Sequence, residues 1–398
     1  MKIIVLAGGL SPERDVSLSS ACLIANSLVR SGHSAALVDL CFDLPDDLHA
    51  LYSDRADFSY QIPPHEPDLE EIRVRSGRRT GFIGKNVLRA CTEADAVFIA
   101  LHGSIGEDGR LQAALEAHGI RHTGSDYLGC ALAMNKDLSK QLLRGAGIPT
   151  APWKTCSAAD CTAAQIEAEV GLPCVIKPCS CGSSVGVSIV RSADELRDAL
   201  SLAARYETCI IAERYVAGRE FSIGVLEGKA LAPVEIIPNS GFYDYVNKYQ
   251  SGCTTEICPA PLSEEENRQL AALALAVHQT LRLGSYSRAD FILDERTHQF
   301  VCLEANALPG MTPTSLLPQG AAACGIVEIS QKGPTLTISL GVFDFAAISA
   351  LCEEPGFKGR VFFAAGKVPA ITVKLRSGED PLKLAEQLVG RYSLIRNK

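Results

Sequence analysis

The sequence predicts an α/β protein of several domains, opening with an open parallel sheet and continuing in smaller units where strands and helices mix. Three observations predict it. Lys2 to Leu6 is a short apolar run that stops at Gly8-Gly9, and a helical pattern follows from Ser17 to Val29, as at the start of an open sheet. Apolar strand-like runs and helix-like segments then alternate down the chain. Finally, 398 residues with 47% hydrophobic content can bury a large core, enough for two to four domains at roughly 100 to 200 residues each.

Taken in order, the glycine pair sits at the carboxyl end of its strand, where ligands bind in open α/β folds. Asp43 to Lys85 is polar and carries Pro45, Pro63, Pro64 and Pro67, so it reads as a long excursion without chemistry before the next strand, Ala96 to Leu101. A second unit begins near Gly129, with a helix from Asp137 to Arg144, a strand from Cys174 to Lys177, a helix from Ala193 to Ala204 and a strand from Cys209 to Glu213. A third contains a strand from Glu220 to Leu226, a helix from Glu264 to Leu281 and two more strands. From Val327 the character changes to strand-like runs at Ile338 to Phe343, Val361 to Ala365 and Ile371 to Leu375, with a final helical stretch after Pro381. No internal repeat or low-complexity segment is found.

A net charge of −8 lacks the basic excess that neutralises nucleic-acid phosphates or anionic lipid heads, so neither nucleic acid nor a membrane is expected as a partner. No apolar run reaches the roughly 18 residues of a membrane span, and the opening run meets glycine too soon for a signal-peptide core, so the expected location is cytoplasmic. Fifteen cysteines, an odd number with no Cys-x-x-Cys pair, indicate neither a disulfide framework nor a structural zinc site. Cys130, Cys174, Cys209 and Cys302 read as small reduced hydrophobes. Cys179 and Cys181 stand in a glycine- and serine-rich loop where thiols are expected to be accessible.

Two pieces carry chemistry. Tyr286 to Asp294 and Gln299 to Asn306 both alternate like strands, with Asp294 to His298 as the turn. Period two puts Arg288 and Asp290 on one face, and Glu304 and Asn306 on one face of the partner strand. A hairpin centred near Arg296 or Thr297 brings Asp290 opposite Glu304, a like-charge conflict that a cation removes. Two carboxylates and an amide oxygen are hard ligands of the kind that suit Mg²⁺. The ordinary reading is a solvated surface hairpin with an Arg288 salt bridge. The second piece is Val175-Ile176-Lys177-Pro178-Cys179-Ser180-Cys181-Gly182-Ser183-Ser184-Val185-Gly186-Val187, a strand that delivers a lysine into a loop of small residues whose N–H groups can approach an anion. It is not a Walker A loop.

These two pieces look like the nucleotide and magnesium sites of the ATP-grasp superfamily, and the chain from Met1 to about Ile326 resembles the D-alanine:D-alanine ligase family. The resemblance rests on several motifs in a shared order: Ala7-Gly8-Gly9-Leu10-Ser11-Pro12-Glu13-Arg14-Asp15-Val16-Ser17, Leu101-His102-Gly103-Ser104-Ile105-Gly106-Glu107-Asp108-Gly109, Met134-Asn135-Lys136, the Lys177 loop, Phe242 to Tyr249, and Leu303 to Thr312. It implies an ATP-grasp ligase with an N-terminal substrate domain (1–126), central (127–212) and C-terminal (213–326) α+β domains sandwiching ATP, and an unmatched extension (327–398).

By the same resemblance, Lys136 and Lys177 bind the ATP phosphates, with loop contacts from Ser184 and Gly186 and a further contribution from Lys248. Glu213, Arg214, Val216 and Glu220 hold the adenine and ribose. Arg214 stands where the family often has lysine, a change tolerated if backbone makes the adenine contacts. Asp290, Glu304 and Asn306 hold Mg²⁺ or Mn²⁺, two ions with ATP bound. Glu13 receives the ammonium of the first D-alanine and is linked to Ser183 and Tyr249, which fasten a loop over the site. His102 lies beside the substrates, Arg288 stabilises the oxyanion, and Gly310, Ser315 and Leu316 serve the second D-alanine.

The implied reaction gives the first carboxylate the γ-phosphoryl group, after which the second amine attacks the acyl phosphate to make D-alanyl-D-alanine for peptidoglycan precursors. Water must be excluded for that intermediate to survive. The resemblance also implies a homodimer. Tyr249 favours an amine acceptor, since relatives that make D-alanyl-D-lactate typically have a different loop. The alternatives are a D-alanine:D-serine or D-alanine:D-lactate ligase, or a non-catalytic ATP-grasp binding protein. The 72 residues after Ile326 match nothing in the family, and packing against the third domain is the simplest expectation for them.

Overall fold

The computed structural model describes the chain except residues 64, 78–79, 158–159, 183, 239–253, 313–314, 325–328 and 333–334; after 339 it describes only 351, 357, 360–364, 370–376, 384 and 388. The N-terminal unit is a parallel sheet in which β1 (Lys2–Ala7) lies between β2 (Ser34–Asp39) and β3 (Ala96–Ile99). Parallel strands are covered on both faces, which is why β1 reads as continuously apolar instead of alternating. Ile4 and Leu6 meet Val38, Val97 and Leu115 on one side, while Val5 and Ala7 meet Leu18 and Ala21 of α1 (Arg14–Arg30) on the other. β2 escapes a reading of the sequence because its two alanines have little strand preference, and only its place beside β1 makes it a strand.

The excursion from Asp43 to Lys85 contains a short 3₁₀ turn and α2 (Leu69–Arg75), and α3 (Val87–Glu93) follows it. It is tied back to α1, since Asn26 exchanges hydrogen bonds with the Phe58 backbone at 2.8 and 3.0 Å and Tyr60 donates its hydroxyl proton to Asp15. Beyond β3 come α4 (Ser104–Glu107), α5 (Arg110–Ala117), α6 (Tyr127–Met134) and α7 (Lys136–Gly145).

The central sheet is antiparallel, made of β4 (Trp153–Ser157), β5 (Cys174–Pro178), β6 (Ser188–Val190) and β7 (Cys209–Arg214) in the order β4-β7-β5-β6. One face, carrying Cys174, Ile176, Ile210 and Ala212, is covered by α8 (Ala163–Glu169) and α9 (Ala193–Ala204) through Ile166 and Leu196. Period two sends Lys177 and Glu213 to the opposite face.

The large antiparallel sheet holds β8 (Gly218–Leu226), β9 (Lys229–Ala230), β10 (Val234–Pro238), β11 (Thr254–Ile257), β12 (Tyr286–Asp294) and β13 (Phe300–Asn306), ordered β11-β10-β8-β12-β13 with β9 on β8. Helix α10 (Glu264–Thr280) starts in a Ser263/Glu266 capping box with three glutamates in its first turn, and lays Leu270, Ala274 and Val277 on Phe221 and Phe291. Cys130, Ala133 and Leu143 join this same core. Helices α6 and α7, expected from sequence with the central unit, therefore pack on the large sheet, and the expected division at 212/213 falls inside β7.

After α11 (Leu316–Ala323) a four-stranded antiparallel sheet follows, with β14 (Ile329–Lys332), β15 (Thr335–Ser339), β16 (Val361–Ala364) and β17 (Ala370–Lys374) in the order β14-β15-β17-β16. β14 lies against α1, so the extension reaches the N-terminal unit as well as following the third. Most of the helical stretch expected after Pro381 lies outside the described residues.

Candidate active site

The hairpin has the register its alternation predicts: Asp290 pairs with Glu304 and Arg288 with Asn306 across β12 and β13. Asp290 is buried and heavily bonded. It accepts from Arg288 Nε and Nη2 at 3.0 and 2.9 Å, from Ser222 Oγ at 2.7 Å and from Asn306 Nδ2 at 3.1 Å. The Arg288 pair of the ordinary reading is thus present, but Glu304 faces the cleft, with Lys136 Nζ 3.6 Å away. Two carboxylates and a carboxamide on one sheet face fit a hard divalent cation. Among the described residues no three His, Cys, Asp or Glu side chains form a metal-sized cluster, so a cation here depends on the amide and on oxygens from outside the protein.

Opposite stand the lysines. Lys177 arrives at the end of β5, buried and ion-paired to Glu213. Lys136 opens α7 behind an Asn135 N-cap and donates to the Cys181 carbonyl at 2.7 Å. Lys140, which the sequence reading did not single out, sits one turn beyond Lys136 and lies between Glu213 Oε2 at 2.8 Å and Thr150 Oγ1 at 2.7 Å. The i, i+4 spacing from Lys136 was the available signal.

Glu213 has a further role in the cleft wall. Its buried carboxylate pairs with two lysines at the edge of the cleft, an engagement the sequence did not predict. Burial opposes its ionisation, but the two ammonium groups outweigh it and hold the carboxyl at about 2.

The loop after β5 is tightly drawn. Ser184 and Gly186 have φ of +57° and +70°, and a Cβ on Gly186 would lie 2.9 Å from both Pro178 and Tyr206, so only glycine fits. Ser184 lines the cleft; Ser183 lies outside the described residues. The cysteine expectations need two corrections. Cys179 is only 1% exposed, because it follows β5 directly, with its thiol against Asn135 and its N–H donated to the Cys209 carbonyl of β7. Cys156 and Cys161 form a disulfide, across a spacing that gave no warning. A thiol reagent is therefore expected to label Cys181, which lines the cleft, well ahead of Cys179, and ATP to slow the labelling of Cys181. Peptide mass spectrometry reads this directly, and equal labelling of Cys181 with and without ATP would remove the loop from the nucleotide's path.

The cleft between the central and large sheets has a volume of about 460 Å³. Val175, Ile189, Ile292 and Leu303 give it apolar walls suited to a flat base, and Lys136, Lys177, Asp290 and Glu304 its charged end. Arg214, Val216 and Glu220 line it, and the Arg219–Glu235 ion pair forms part of the same wall at 2.7 Å.

A second group of residues gathers where the N-terminal unit meets this charged end. The Glu13 carboxylate lies close to Gly103 and also near Gly182 of the Lys177 loop. His102 is pushed below its usual pKa by burial, opposed by Glu13 and reinforced by Arg288. Glu107 was quoted in the sequence motif without a role. It shares a small recess with Lys136, Glu304 and Asn306, and burial, assisted by Glu13, pushes its carboxyl up to about 8. Gly310 packs against Ser315, whose hydroxyl pairs with Thr312 Oγ1 at 2.8 Å. The Leu316 side chain is buried against Val234 and Ile236, so only its backbone, in the first turn of α11, is left for a substrate. Lys248 and Tyr249 lie outside the described residues.

A nucleotide-sized cleft between two antiparallel sheets, with Lys177 on one, paired carboxylates on the other and Lys136 reaching the same charged end from α7, defines an ATP-dependent ligase of the ATP-grasp type. The family model described as D-ala D-ala ligase N-terminus matches residues 2–125, and that described as D-ala D-ala ligase C-terminus matches residues 142–330. The chain belongs to the D-alanine–D-alanine ligase family. It is 41% identical to the D-alanine–D-alanine ligase of Pediococcus pentosaceus over 82% of this chain and 94% of that one, and 39% identical to that of Geobacter sulfurreducens over 80% and 87%. The solved D-alanine–D-alanine ligase of Bacillus anthracis superposes with a TM-score of 0.63 at 29% identity, covering 81% of this chain and 92% of that one. Its complex with ATP gives 0.62 at 25% identity, covering 81% and 92%. The VanG D-Ala:D-Ser ligase from Enterococcus faecalis gives 0.62 at 27% identity, covering 80% and 93%. Among the described residues no helix is long and apolar enough to cross a membrane.

Proposed function

We propose that this chain joins two D-alanines at the expense of ATP, through a D-alanyl phosphate, to supply the dipeptide for peptidoglycan precursors. The observation that carries the reading is the opposition of Asp290 and Glu304 across one ladder, with Arg288 beside them and Lys136 and Lys177 facing them. In this reading the two lysines hold the phosphates as point charges, and Asp290, Glu304 and Asn306 hold Mg²⁺. When bound, that ion offsets phosphate charge as the γ-phosphoryl group moves. Glu13 takes the ammonium of the first D-alanine beside His102, so that its carboxylate points toward the phosphates.

Arg288 then offers its guanidinium to the oxyanion formed when the second amine attacks. Ser315 and the Leu316 N–H, at the start of α11, receive the second carboxylate. Ser183, Lys248 and Tyr249 close the site. No side chain acts as a covalent nucleophile. Carried over from the family, the enzyme works as a homodimer in the cytoplasm.

The relation to a D-Ala:D-Ser ligase makes the acceptor the point to test. ADP release should be measured with D-alanine alone and with D-alanine plus D-serine or D-lactate, and the products identified. D-Alanyl-D-alanine is expected as the main product, with little depsipeptide. A dominant D-alanyl-D-serine product would reassign the acceptor, and no amino-acid-dependent ADP release would leave only a binding protein.

A further inference from the structure

One buried ion pair in the N-terminal unit lies outside the ATP cleft. Arg14, 7% exposed, follows Glu13 directly in the chain, and its Nη2 is paired with the carboxylate of Asp39 at the end of β2. A buried ion pair is poor evidence of stabilisation, since desolvation offsets its attraction and an apolar pair of similar volume does as well. Its geometry suggests another use. Arg14 Nη1 donates to the Gly9 carbonyl at 2.8 Å, and Asp39 Oδ1 accepts the Gly9 N–H at 3.3 Å. One ion pair therefore grips both polar groups of a single glycine.

That glycine is the weak point of the segment leading to Glu13. Gly8 and Gly9 are both left-handed, with φ of +72° and +78°, and two such residues in a row lose much conformational freedom when ordered. A Cβ on Gly8 would meet the Asp39 carboxylate at 2.6 Å, so the carboxylate lies directly on the glycine backbone. Downstream, Ser11 Oγ donates to the His102 carbonyl at 2.9 Å, and the Arg14 N–H returns to the Ser11 carbonyl at 3.1 Å. Glu13 is thus presented from a short loop fixed at Gly9 by the ion pair and at Ser11 by the His102 segment.

We infer that Arg14 and Asp39 are positioning residues for the first amino-acid substrate, setting the place of the Glu13 carboxylate through the Gly9 backbone. The inference rests on the proposed role of Glu13. It does not concern the nucleotide, whose cleft is lined by other elements. A misplacement of about 1 Å in a positioning group can cost about 100-fold in rate.

The test is a comparison of Arg14→Met, Arg14→Lys and Asp39→Asn with wild type. The readouts are KM for each D-alanine, kcat, ATP dissociation constant and Tm. Arg14→Met is expected to raise KM for the first D-alanine by about 10- to 100-fold with ATP affinity within about twofold. Arg14→Lys, which keeps the charge but lacks the planar fork that bonds Gly9 and Asp39 at once, is expected to rescue only part of that loss. Unchanged KM values in all three variants would overturn the inference. So would a parallel fall of ATP affinity and Tm, which marks a purely structural pair. Glu13→Gln separates the two readings: if it raises KM for the first D-alanine while the Arg14 and Asp39 variants do not, only the positioning inference fails, and if it leaves that KM unchanged, the role of Glu13 itself fails.

Discussion

Glu304→Gln is expected to lower kcat by about 100- to 1,000-fold while leaving the fold intact. Glutamine keeps the shape and removes the charge. In the proposed mechanism that charge joins Asp290 in attracting a divalent cation, and it holds Lys136 3.6 Å away at the charged end of the cleft. Stability should hold or rise slightly, because one of two like charges facing each other across a ladder disappears. Steady-state turnover at saturating ATP and Mg²⁺, read beside a thermal melt, checks this. Turnover at the wild-type rate would remove Glu304 from the metal site, and a collapsed melt would make its role structural.

Glu213→Gln should instead be felt in the fold. It leaves Lys140 and Lys177 buried without their shared counter-charge, and breaking a buried pair from one side costs about 3 to 5 kcal/mol. The pH dependence follows from the same carboxyl. Its pKa in the folded protein is depressed from 4.5 to about 2, so its contribution is fully present above the unfolded value and is lost as pH falls toward 2. The shift corresponds to roughly 3 kcal/mol. Denaturant unfolding between pH 6 and pH 3 should therefore show a steeper acid loss in wild type than in the variant. Identical slopes would mean that the two lysines do not hold this carboxylate.

What could be read from the residues follows the range of the interactions. The Asp290–Glu304 register was legible because a hairpin with a short turn is local, and a period of two allows no other face. The Lys177 loop was legible for the same reason, as one strand running into small residues. Arg14 was not, because its partner Asp39 lies on a strand that exists only by pairing with β1. The commitment of Glu213 to Lys140 and Lys177 needed the meeting of β5, β7 and α7, three segments far apart in sequence. The accessibility of Cys179 was misjudged because loop composition says nothing about what covers the loop's first residue. The family roles of Ser183, Lys248 and Tyr249 rest on the sequence resemblance alone, since all three lie outside the described residues.

If a D-alanine carboxylate, and not water, takes the γ-phosphoryl group of ATP, the phosphate released carries an oxygen from the amino acid. D-Alanine labelled with ¹⁸O in its carboxylate should be turned over in unlabelled water and the phosphate examined by ³¹P NMR. The bridging oxygen of the acyl phosphate comes from the amino acid and leaves with the phosphate when the second amine attacks. A single ¹⁸O is expected in each phosphate released, matched one for one by dipeptide; unlabelled phosphate, formed while ATP is consumed, would show that the carboxylate is not the phosphoryl acceptor.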